Sequence, residues 1–297
     1  MDHPYYPWSP LPGREVLRWP NGARLALAVV ILLEHYEWQP PEGSYSLRRP
    51  SGGLAGLPFP DYVRLTHRDY GHRVGIFRLL DVLERTGVPP TVAVDALTAE
   101  HYPWLIGHCR ERGAELIAHG IAASRLITSH MSEADERKTI AESIESLTRA
   151  TGSAPAGWYS PEGAESARTP SLLAEAGVRY VCDWPNDEQP YAMTVPTGEL
   201  VSLPTFLEAD DEFALWHRHL TADRWSDLVI EAARGLHGDG ATNGRLLVVT
   251  LRPWLTGQPF RVGAVERVLG EIMSWPDVWA ARGSEIVDWF RAVRHLS

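Results

Sequence analysis

Charged or histidine side chains follow several short apolar runs in this sequence. The run Glu115 to Ala118 ends at His119, and Gly120 follows at once. Glycine at that position lets the backbone turn sharply or lets a ligand approach closely. If the apolar runs are neighbouring parallel strands, the side chains at their carboxyl ends converge on one pocket. The other runs of this kind end at Glu34, Asp95, Asp183 and Arg252.

His119 and Glu34 are the candidates for proton chemistry. A neutral imidazole at a strand end can bind a metal or relay a proton near pH 7, although a lone histidine on an apolar strand is often a hydrogen-bonded core residue. A carboxylate at the mouth of a buried strand acts as a base or ligand, or it pairs with a structural cation. The position at a strand end favours the functional role for both residues.

Asp183 and Arg252 carry opposite charges at the ends of later strands. Asp183 opens a segment that contains Asp187 and ends at Pro190. Its Pro, Asn and Asp residues make a turn unaided, so a turn and a binding site remain alternatives. Arg252 offers a planar cation suited to clamping a carboxylate, imide or ureide oxygen, or it forms a salt bridge to Glu34 or Asp183.

Tryptophan is frequent, with 12 residues in a chain of 297. Aromatic side chains fill large cores, but positions at strand ends favour an aromatic-walled pocket. We therefore predict that Trp158 and Trp254 wall the ring of a substrate. The tryptophans beside candidate site residues are Trp38, Trp158, Trp184 and Trp254.

Strand-like and helix-like segments alternate along most of the chain. The first run, Ala23 to Leu33, is apolar without alternation, as in a strand buried on both faces. Amphipathic spacing, capping residues and glycine ends predict the helices. The predicted strands cover 23–33, 91–95, 115–118, 155–160, 179–183, 200–203, 245–251 and 278–280. The predicted helices cover 74–85, 99–112, 133–150, 169–177, 223–236, 262–273 and 285–293.

This alternation predicts an α/β fold whose parallel strands close into a barrel, with the chemistry at the carboxyl ends of the strands. An open doubly wound sheet that binds a nucleotide has a glycine-rich turn after its first strand, and residues 34–38 contain no glycine. We predict an extended arm over 1–22 and one domain over 23–297. Residues 39–74 show no regular period and are predicted to be a loop insertion, either a lid or pocket wall or a plain surface excursion.

Composition argues against several classes of function. The net charge of −10 and the pI of about 5.6 argue against binding to a phosphate backbone. The two cysteines, Cys109 and Cys182, lie outside any CxxC and suit a reducing cytoplasm. The N-terminus lacks a secretion-signal pattern, and the longest apolar run, Leu25 to Leu33, is too short to span a bilayer. We expect a cytoplasmic protein that binds a small-molecule substrate and neither nucleic acid nor a membrane.

Six short segments follow one another in a characteristic order between about residue 20 and residue 295. They are Glu34-His-Tyr-Glu37, Asp69-Tyr-Gly-His-Arg73, Ala118-His119-Gly120, Gly157-Trp-Tyr-Ser-Pro161, and the segments 183–190 and 251–259. Together they resemble the polysaccharide deacetylase (NodB-homology) family, and most of all its allantoinase-like branch. The resemblance implies a distorted (β/α) barrel of about seven strands.

The resemblance also implies a metal site, from which this sequence departs. Glu34 and His35 stand where family deacetylases carry an Asp-Asp pair, Ala123 replaces the second histidine of the third-strand motif, and Arg252 replaces a histidine in the last motif. His119 is the one clear ligand left, whereas catalytic zinc takes about three protein ligands. We therefore predict no definite cofactor, with zinc or another divalent metal at Glu34 and His119 as the alternative. Side chains that could complete an altered site are Glu34, His35 and Asp187.

We predict a hydrolase of non-peptide carbon–nitrogen bonds that acts on a small cyclic amide, imide or ureide, and the allantoinase-like branch implies the same chemistry. Glu34 would take a proton from water if its pocket raises its pKa, His119 would position that water or protonate the leaving nitrogen, and Arg252 would stabilise the oxyanion. One alternative is a metal-dependent polysaccharide N-acetyl deacetylase with a remodelled site, and another is a non-catalytic or repurposed ligand-binding barrel. Relatives of this size often associate, so we expect a homo-oligomer. The substrate-binding residues are predicted to be Trp158, Tyr159, Asp183, Asp187 and Trp254.

Overall fold

The computed structural model describes residues 2–45 and 60–295. The strand β1, Leu25–Leu33, is its centre, and all of its residues are buried. β1 pairs in parallel with β8 along one edge and with β2 and β9 along the other. A run of Val, Ile and Leu without polar alternation suits this position, because both faces of the strand lie against other elements.

The strands form one curled sheet in the order β6-β7-β5-β4-β3-β2-β1-β8, with β9 beside β1. The predicted α/β barrel is confirmed, and all pairs are parallel except β6 with β7, a pair that was not predicted. Six of the strands contain only two to four residues, so several predicted strands were too long. The remaining strands are Pro90–Val94 (β2), Glu115–Ala118 (β3), Gly157–Trp158 (β4), Tyr180–Val181 (β5), Tyr191–Ala192 (β6), Val201–Ser202 (β7), Arg245–Leu251 (β8) and Val278–Ala280 (β9).

Helices cover the outer face of the sheet. Two of the predictions were wrong. Tyr62–Tyr70 is helical where a loop was predicted, and Pro103 starts a new helix, so the predicted helix over 99–112 is two helices. The rest of the predicted insertion, 46–59, lies outside the described residues. The helices are Tyr62–Tyr70 (α1), Ile76–Thr86 (α2), Ala96–His101 (α3), Pro103–Glu111 (α4), Glu133–Thr151 (α5), Thr169–Glu175 (α6), Ala222–Asp239 (α7), Pro253–Thr256 (α8), Val262–Met273 (α9) and Gly283–Val293 (α10).

Two apolar layers pack against the sheet, and alternate residues of β1 supply them. Leu27 and Ile31 face the helices, whereas the smaller Ala26 and Ala28 face the inside of the curl. The predicted arm, 1–22, is anchored in the inner layer, because Leu17 and Trp19 are buried there. No helix in the described part of the chain is both long and apolar enough to cross a membrane.

Candidate active site

The carboxyl ends of β1, β3 and β8 bring Glu34, His119 and Arg252 together. Oε1 of Glu34 lies 3.6 Å from Nε2 of His119, and Oε2 of Glu34 lies 3.6 Å from Nε of Arg252. Parallel neighbours on the sheet place the ends of β1 and β8 side by side, with β2 separating β1 from β3. The three residues chosen from the sequence as catalytic therefore share one buried site.

Each of these three side chains presents a buried polar atom with no hydrogen bond from the described residues. These atoms are Oε2 of Glu34, Nε2 of His119 and Nε of Arg252. Buried polar atoms in folded proteins almost always have a partner, so a group of unpartnered ones marks the place of a water molecule or a ligand. This convergence is the strongest geometric sign of a functional site in the described residues.

His119 is held in one orientation by its other ring nitrogen. Nδ1 lies 2.5 Å from the carbonyl oxygen of Tyr159, which can only accept, so Nδ1 carries a proton. Burial alone would lower the pKa of His119, but the carboxylates of Glu34 and Asp95 raise it above its ordinary value. His119 therefore faces Glu34 as an imidazolium over more of the neutral pH range than an ordinary histidine.

Glu34 is held in its charged form by the same pair. Burial would raise the pKa of Glu34, but His119, Arg252 and Arg68 together lower it below its ordinary value. Glu34 was predicted to act as the base only if its pocket raises its pKa, and this condition is not met, because the cations around it outweigh desolvation. Glu34 is consequently a weak proton acceptor, and its carboxylate stabilises the positive charge of His119.

Arg252 is surrounded by carboxylates from the segment before α7. Its Nη1 donates to both carboxylate oxygens of Asp210 at 2.9 Å and to Asp211 at 3.2 Å. Oε2 of Glu212 lies 2.7 Å from Nε, off the direction of the N–H bond. The backbone N–H of Arg252 donates to Asp211 at 2.7 Å. The sequence suggested Glu34 or Asp183 as the salt-bridge partner of Arg252. Arg252 does pair with Glu34, and its other partners are Asp210, Asp211 and Glu212 in place of Asp183.

The acidic residues 210–212 were not chosen as site residues from the sequence. They lie between the predicted strand over 200–203 and the predicted helix over 223–236, and the structure places them in and just before a π-helical segment, Glu212–His217. The carboxylates of Asp210, Asp211 and Glu212 are nevertheless buried. One signal could have found them, because a buried arginine such as Arg252 needs counter-charges and three consecutive acids supply them.

Arg68, on α1, is a second buried cation of the site that was not predicted. Its guanidinium lies 3.3 Å from the ring centre of Trp254 and its Nη2 lies 3.2 Å from Glu212. The segment that follows α1 packs closely on Pro253. Gly75 allows this approach, because a Cβ there would lie 1.9 Å from the carbonyl oxygen of Pro253. The segment that was predicted to be a lid or pocket wall therefore carries a charged group into the site.

The aromatic residues differ from their predicted roles. Trp254 is 2% exposed and Arg68 covers one face of its ring, so that face is not available to a substrate. Trp158 is fully buried, and its Nε1 donates to Ser160 at 2.7 Å. Tyr159 lies edge-on to His119 with 6.0 Å between ring centres. Of the aromatic residues chosen from the sequence, Tyr159 is the one placed against a catalytic candidate.

Asp183 lies at the edge of the site and forms a pair with a second acid. Its carboxyl accepts from the backbone N–H of Ser160 at 2.8 Å, and its charge acts on the neighbouring carboxyl of Glu165. Burial and the charge of Asp183 raise the pKa of Glu165 to about 10, so the two carboxyl groups share a proton near neutral pH. The pair supports the turn after β4.

The structure places Asp187 away from the other candidates. The carbonyl of the next residue, Glu188, accepts from the N–H of Leu246 at 2.8 Å, near the start of β8. Arg252 lies at the other end of this strand, roughly 20 Å away at about 3.3 Å per residue. Asp187 instead pairs with Arg14 of the arm at 2.5 Å. The prediction that Asp187 contacts the substrate or completes the metal site therefore disagrees with its position.

Asp187→Asn is expected to leave turnover unchanged and to lower the free energy of unfolding by about 1–2 kcal/mol, because it weakens a largely buried ion pair with Arg14. The amide oxygen keeps the bonds from the backbone of the following two residues. Urea denaturation measures the loss, and Arg14→Met is the matched variant. A fall in kcat with unchanged stability would return Asp187 to the active site.

The donor set does not match the three-ligand metal site of the family deacetylases. In the described residues, no group of three or more His, Cys, Asp or Glu side chains is arranged to hold a metal ion. Glu34, His35 and His119 each carry one buried polar atom without a hydrogen-bond partner among the described residues. The ring of His35 lies beside that of His101, and these three atoms do not converge as the three protein ligands of a catalytic zinc would.

The comparisons with known proteins find similarity to polysaccharide deacetylases and to an allantoinase. Residues 60–181 match the family model "Polysaccharide deacetylase". A crystal structure of the Puue allantoinase is 25% identical and covers 96% of this chain and 97% of its own, with a TM-score of 0.86. A "probable Polysaccharide deacetylase" from Pseudomonas aeruginosa PAO1 is 26% identical, with the same coverage and a TM-score of 0.86. A Schizosaccharomyces pombe protein named "Putative polysaccharide deacetylase" is 25% identical over 294 residues, 90% of each chain.

Proposed function

We propose that this chain is a hydrolase of carbon–nitrogen bonds related to the polysaccharide deacetylases, and that its substrate is a small cyclic amide, ureide or imide. The observation that carries the proposal is the convergence of Glu34, His119 and Arg252 with unpartnered polar atoms. An arginine among acids replaces one of the metal ligands that a family deacetylase would use. The similarity to an allantoinase, which acts on a cyclic ureide, supports the same class of substrate.

The reaction in this proposal joins water to a carbonyl carbon and opens the ring. The water oxygen forms the new C–O bond and releases one proton to solvent, the C–N bond breaks, and the imidazolium of His119 gives its Nε2 proton to the leaving nitrogen, after which a proton from solvent restores the imidazolium. Glu34 keeps His119 charged before the transfer and orients the water. The unpartnered Nε–H of Arg252 faces this space and stabilises the oxyanion as it forms. The products are a carboxylic acid and a neutral nitrogen group.

Glu34→Gln tests the pairing of Glu34 with His119. The amide keeps the shape of the carboxylate but removes the charge that raises the pKa of His119. The imidazolium is then lost at a lower pH, so the basic limb of kcat/KM should move to lower pH and turnover at pH 8 should fall by about 10²-fold. The pH profile is measured on the first substrate turned over in a panel of hydantoins, other cyclic ureides, imides and acetamido sugars. An unmoved basic limb with full turnover would contradict the proposal.

Metal-dependent deacetylation of an acetamido sugar is the second candidate, and the match of residues 60–181 to the deacetylase model favours it. Elemental analysis of protein purified without chelator separates the two candidates. Stoichiometric zinc that is lost together with activity on acetamido sugars would support deacetylation. Turnover of a cyclic substrate that survives chelation would support the proposal made here.

A further inference from the structure

Arg68 brings a buried donor to the site from α1. Its side chain is only 6% exposed, and a guanidinium taken out of water needs partners for its N–H groups. Nη2 donates to Oε1 of Glu212 at 3.2 Å. Nη1 is also buried, but it has no hydrogen-bond partner among the described residues. Because buried donors in folded proteins are almost always paired, Nη1 points to an acceptor that these residues do not supply.

Glu212 holds Arg68 and Arg252 on the two oxygens of one carboxylate. Oε1 contacts Nη2 of Arg68 at 3.2 Å, and Oε2 lies 2.7 Å from Nε of Arg252. This same Nε lies 3.6 Å from Oε2 of Glu34. Nη1 of Arg68 is the other tip of the planar group that carries Nη2. A continuous line of contacts therefore joins Nη1 to the site, and the unpartnered donors of both arginines lie within reach of one small molecule.

Aromatic rings fix the position of the Arg68 guanidinium. It lies 3.3 Å from the ring centre of Trp254 and 5.2 Å from the ring centre of Tyr36, which follows Glu34 by two positions. Each ring also carries a buried polar atom without a hydrogen-bond partner in the described part of the chain, Nε1 of Trp254 and the hydroxyl of Tyr36. A few fixed polar groups on an aromatic wall are typical of a small-molecule binding site.

The charges of the site favour a neutral acceptor at Arg68. Three cations contact four carboxyl groups there, so no positive charge is left over to attract an anion. The cations are Arg68, His119 and Arg252, and the carboxyl groups are those of Glu34, Asp210, Asp211 and Glu212. A carbonyl oxygen accepts from a guanidinium N–H without adding a charge. Since the reacting carbonyl belongs to Arg252 in the proposed mechanism, the acceptor at Arg68 is a second carbonyl.

We propose that Nη1 of Arg68 binds a second carbonyl oxygen of the substrate and thereby selects rings that carry two carbonyl groups. The proposal rests on the proposed function and narrows its substrate class from any cyclic amide to ureides and imides with two ring carbonyls. Arg68 determines specificity, because the carbonyl that it binds keeps all its bonds in the reaction. A ring with one carbonyl would cover Nη1 without pairing it, so the site should bind such a ring weakly.

Two pairs of rings that differ by one carbonyl test this selection. Succinimide is compared with 2-pyrrolidinone, and hydantoin with 2-imidazolidinone, by calorimetric titration of His119→Asn, in which turnover is blocked. We expect the ring with two carbonyls to bind about 10–100-fold tighter in each pair, the contribution of a hydrogen bond to a charged group. Equal binding within both pairs, or binding of none of the four rings, overturns the proposal. Tighter binding of pyroglutamate, which carries a carboxylate in place of the second carbonyl, also overturns it.

Arg68→Met assigns the difference in affinity to Arg68, with Arg245→Met as the matched control. Each variant removes a buried arginine that pairs with one acid, and Arg245 lies at the start of β8, away from the site. In the His119→Asn background, Arg68→Met should bring the two rings of a pair to the same affinity, whereas Arg245→Met should keep the difference. Arg68→Lys keeps a charge beside Glu212 and should reduce the difference if the methionine variant does not fold.

The outcomes separate this proposal from the proposed function. A difference in affinity that survives in a folded Arg68 variant overturns the proposal, and turnover of a cyclic substrate by the parent protein then leaves the proposed function intact. A difference that is lost with Arg68 supports the proposal. If the parent protein then turns over no compound of the panel, the proposed function alone is overturned, because the binding of the second carbonyl has been measured without turnover.

Discussion

His119→Ala is expected to lower kcat/KM by about 10³-fold, the largest loss of activity for a single replacement in this chain. The imidazole supplies the proton for the leaving nitrogen. The carbonyl oxygen of Tyr159 fixes its Nδ1, which leaves Nε2, 3.6 Å from Oε1 of Glu34, to carry that proton. Steady-state kinetics on the substrate found in the panel measures the loss.

Two control variants separate catalysis from folding in this experiment. His119→Asn keeps a side-chain N–H that can donate to the carbonyl of Tyr159 but cannot carry the proton, so it should fold and remain inactive. His130 is exposed and lies on the same connection between β3 and α5, so His130→Ala should keep full activity. An active His119→Asn would show that the ring positions Tyr159 and does not transfer a proton.

Arg252→Met is expected to lower the free energy of unfolding by about 3–5 kcal/mol, the largest loss of stability for a single replacement. It leaves the acids around Arg252 buried without their main cation. Burial already raises the pKa of Asp211 to about 7, and loss of Arg252 removes a charge that opposes this rise, so the stability that the buried carboxylate costs is absent at low pH and grows as the pH rises. The deficit should therefore shrink between pH 8 and pH 5, as measured by urea denaturation.

Arg245→Met is the matched control on the same strand. Arg245 is buried at the start of β8 and pairs with one largely exposed acid, Glu188. Its replacement should cost about 1 kcal/mol. Burial raises the pKa of Asp211 to about 7, so adding Asp211→Asn to Arg252→Met should recover part of the loss. Equal losses at both arginines would show that the acids of 210–212 do not depend on Arg252.

Local patterns were enough to predict the centre of the fold and three residues of the site. The bounds of β3, β8, α9 and β9 coincide with those predicted, because each is a continuous apolar or amphipathic run. The polar residues that end β1, β3 and β8 meet as expected, because parallel strands place their carboxyl ends on one edge. The periodicity of the sequence thus predicts where a strand lies and which polar residue stands at its carboxyl end.

Partners contributed by irregular segments could not be predicted in this way. Residues 210–212 and Asp187 lie in similar acidic segments, and their different positions follow from distant contacts. Gln189 donates to Asn243 and to the carbonyl of Gly244, which draws the segment around Asp187 to the start of β8. Contacts between residues more than 50 positions apart leave no periodic signal in the sequence.

The position of β1 has a consequence during synthesis of the chain. β1 pairs along one edge with Arg245–Leu251, which is synthesised more than 200 residues later. An apolar strand with an uncovered edge is a template for pairing with other chains. That edge of β1 stays uncovered until β8 has been synthesised. Nascent chains therefore depend on chaperones to avoid aggregation during this time. Truncation before residue 245 should therefore yield insoluble protein even though the earlier strands are complete.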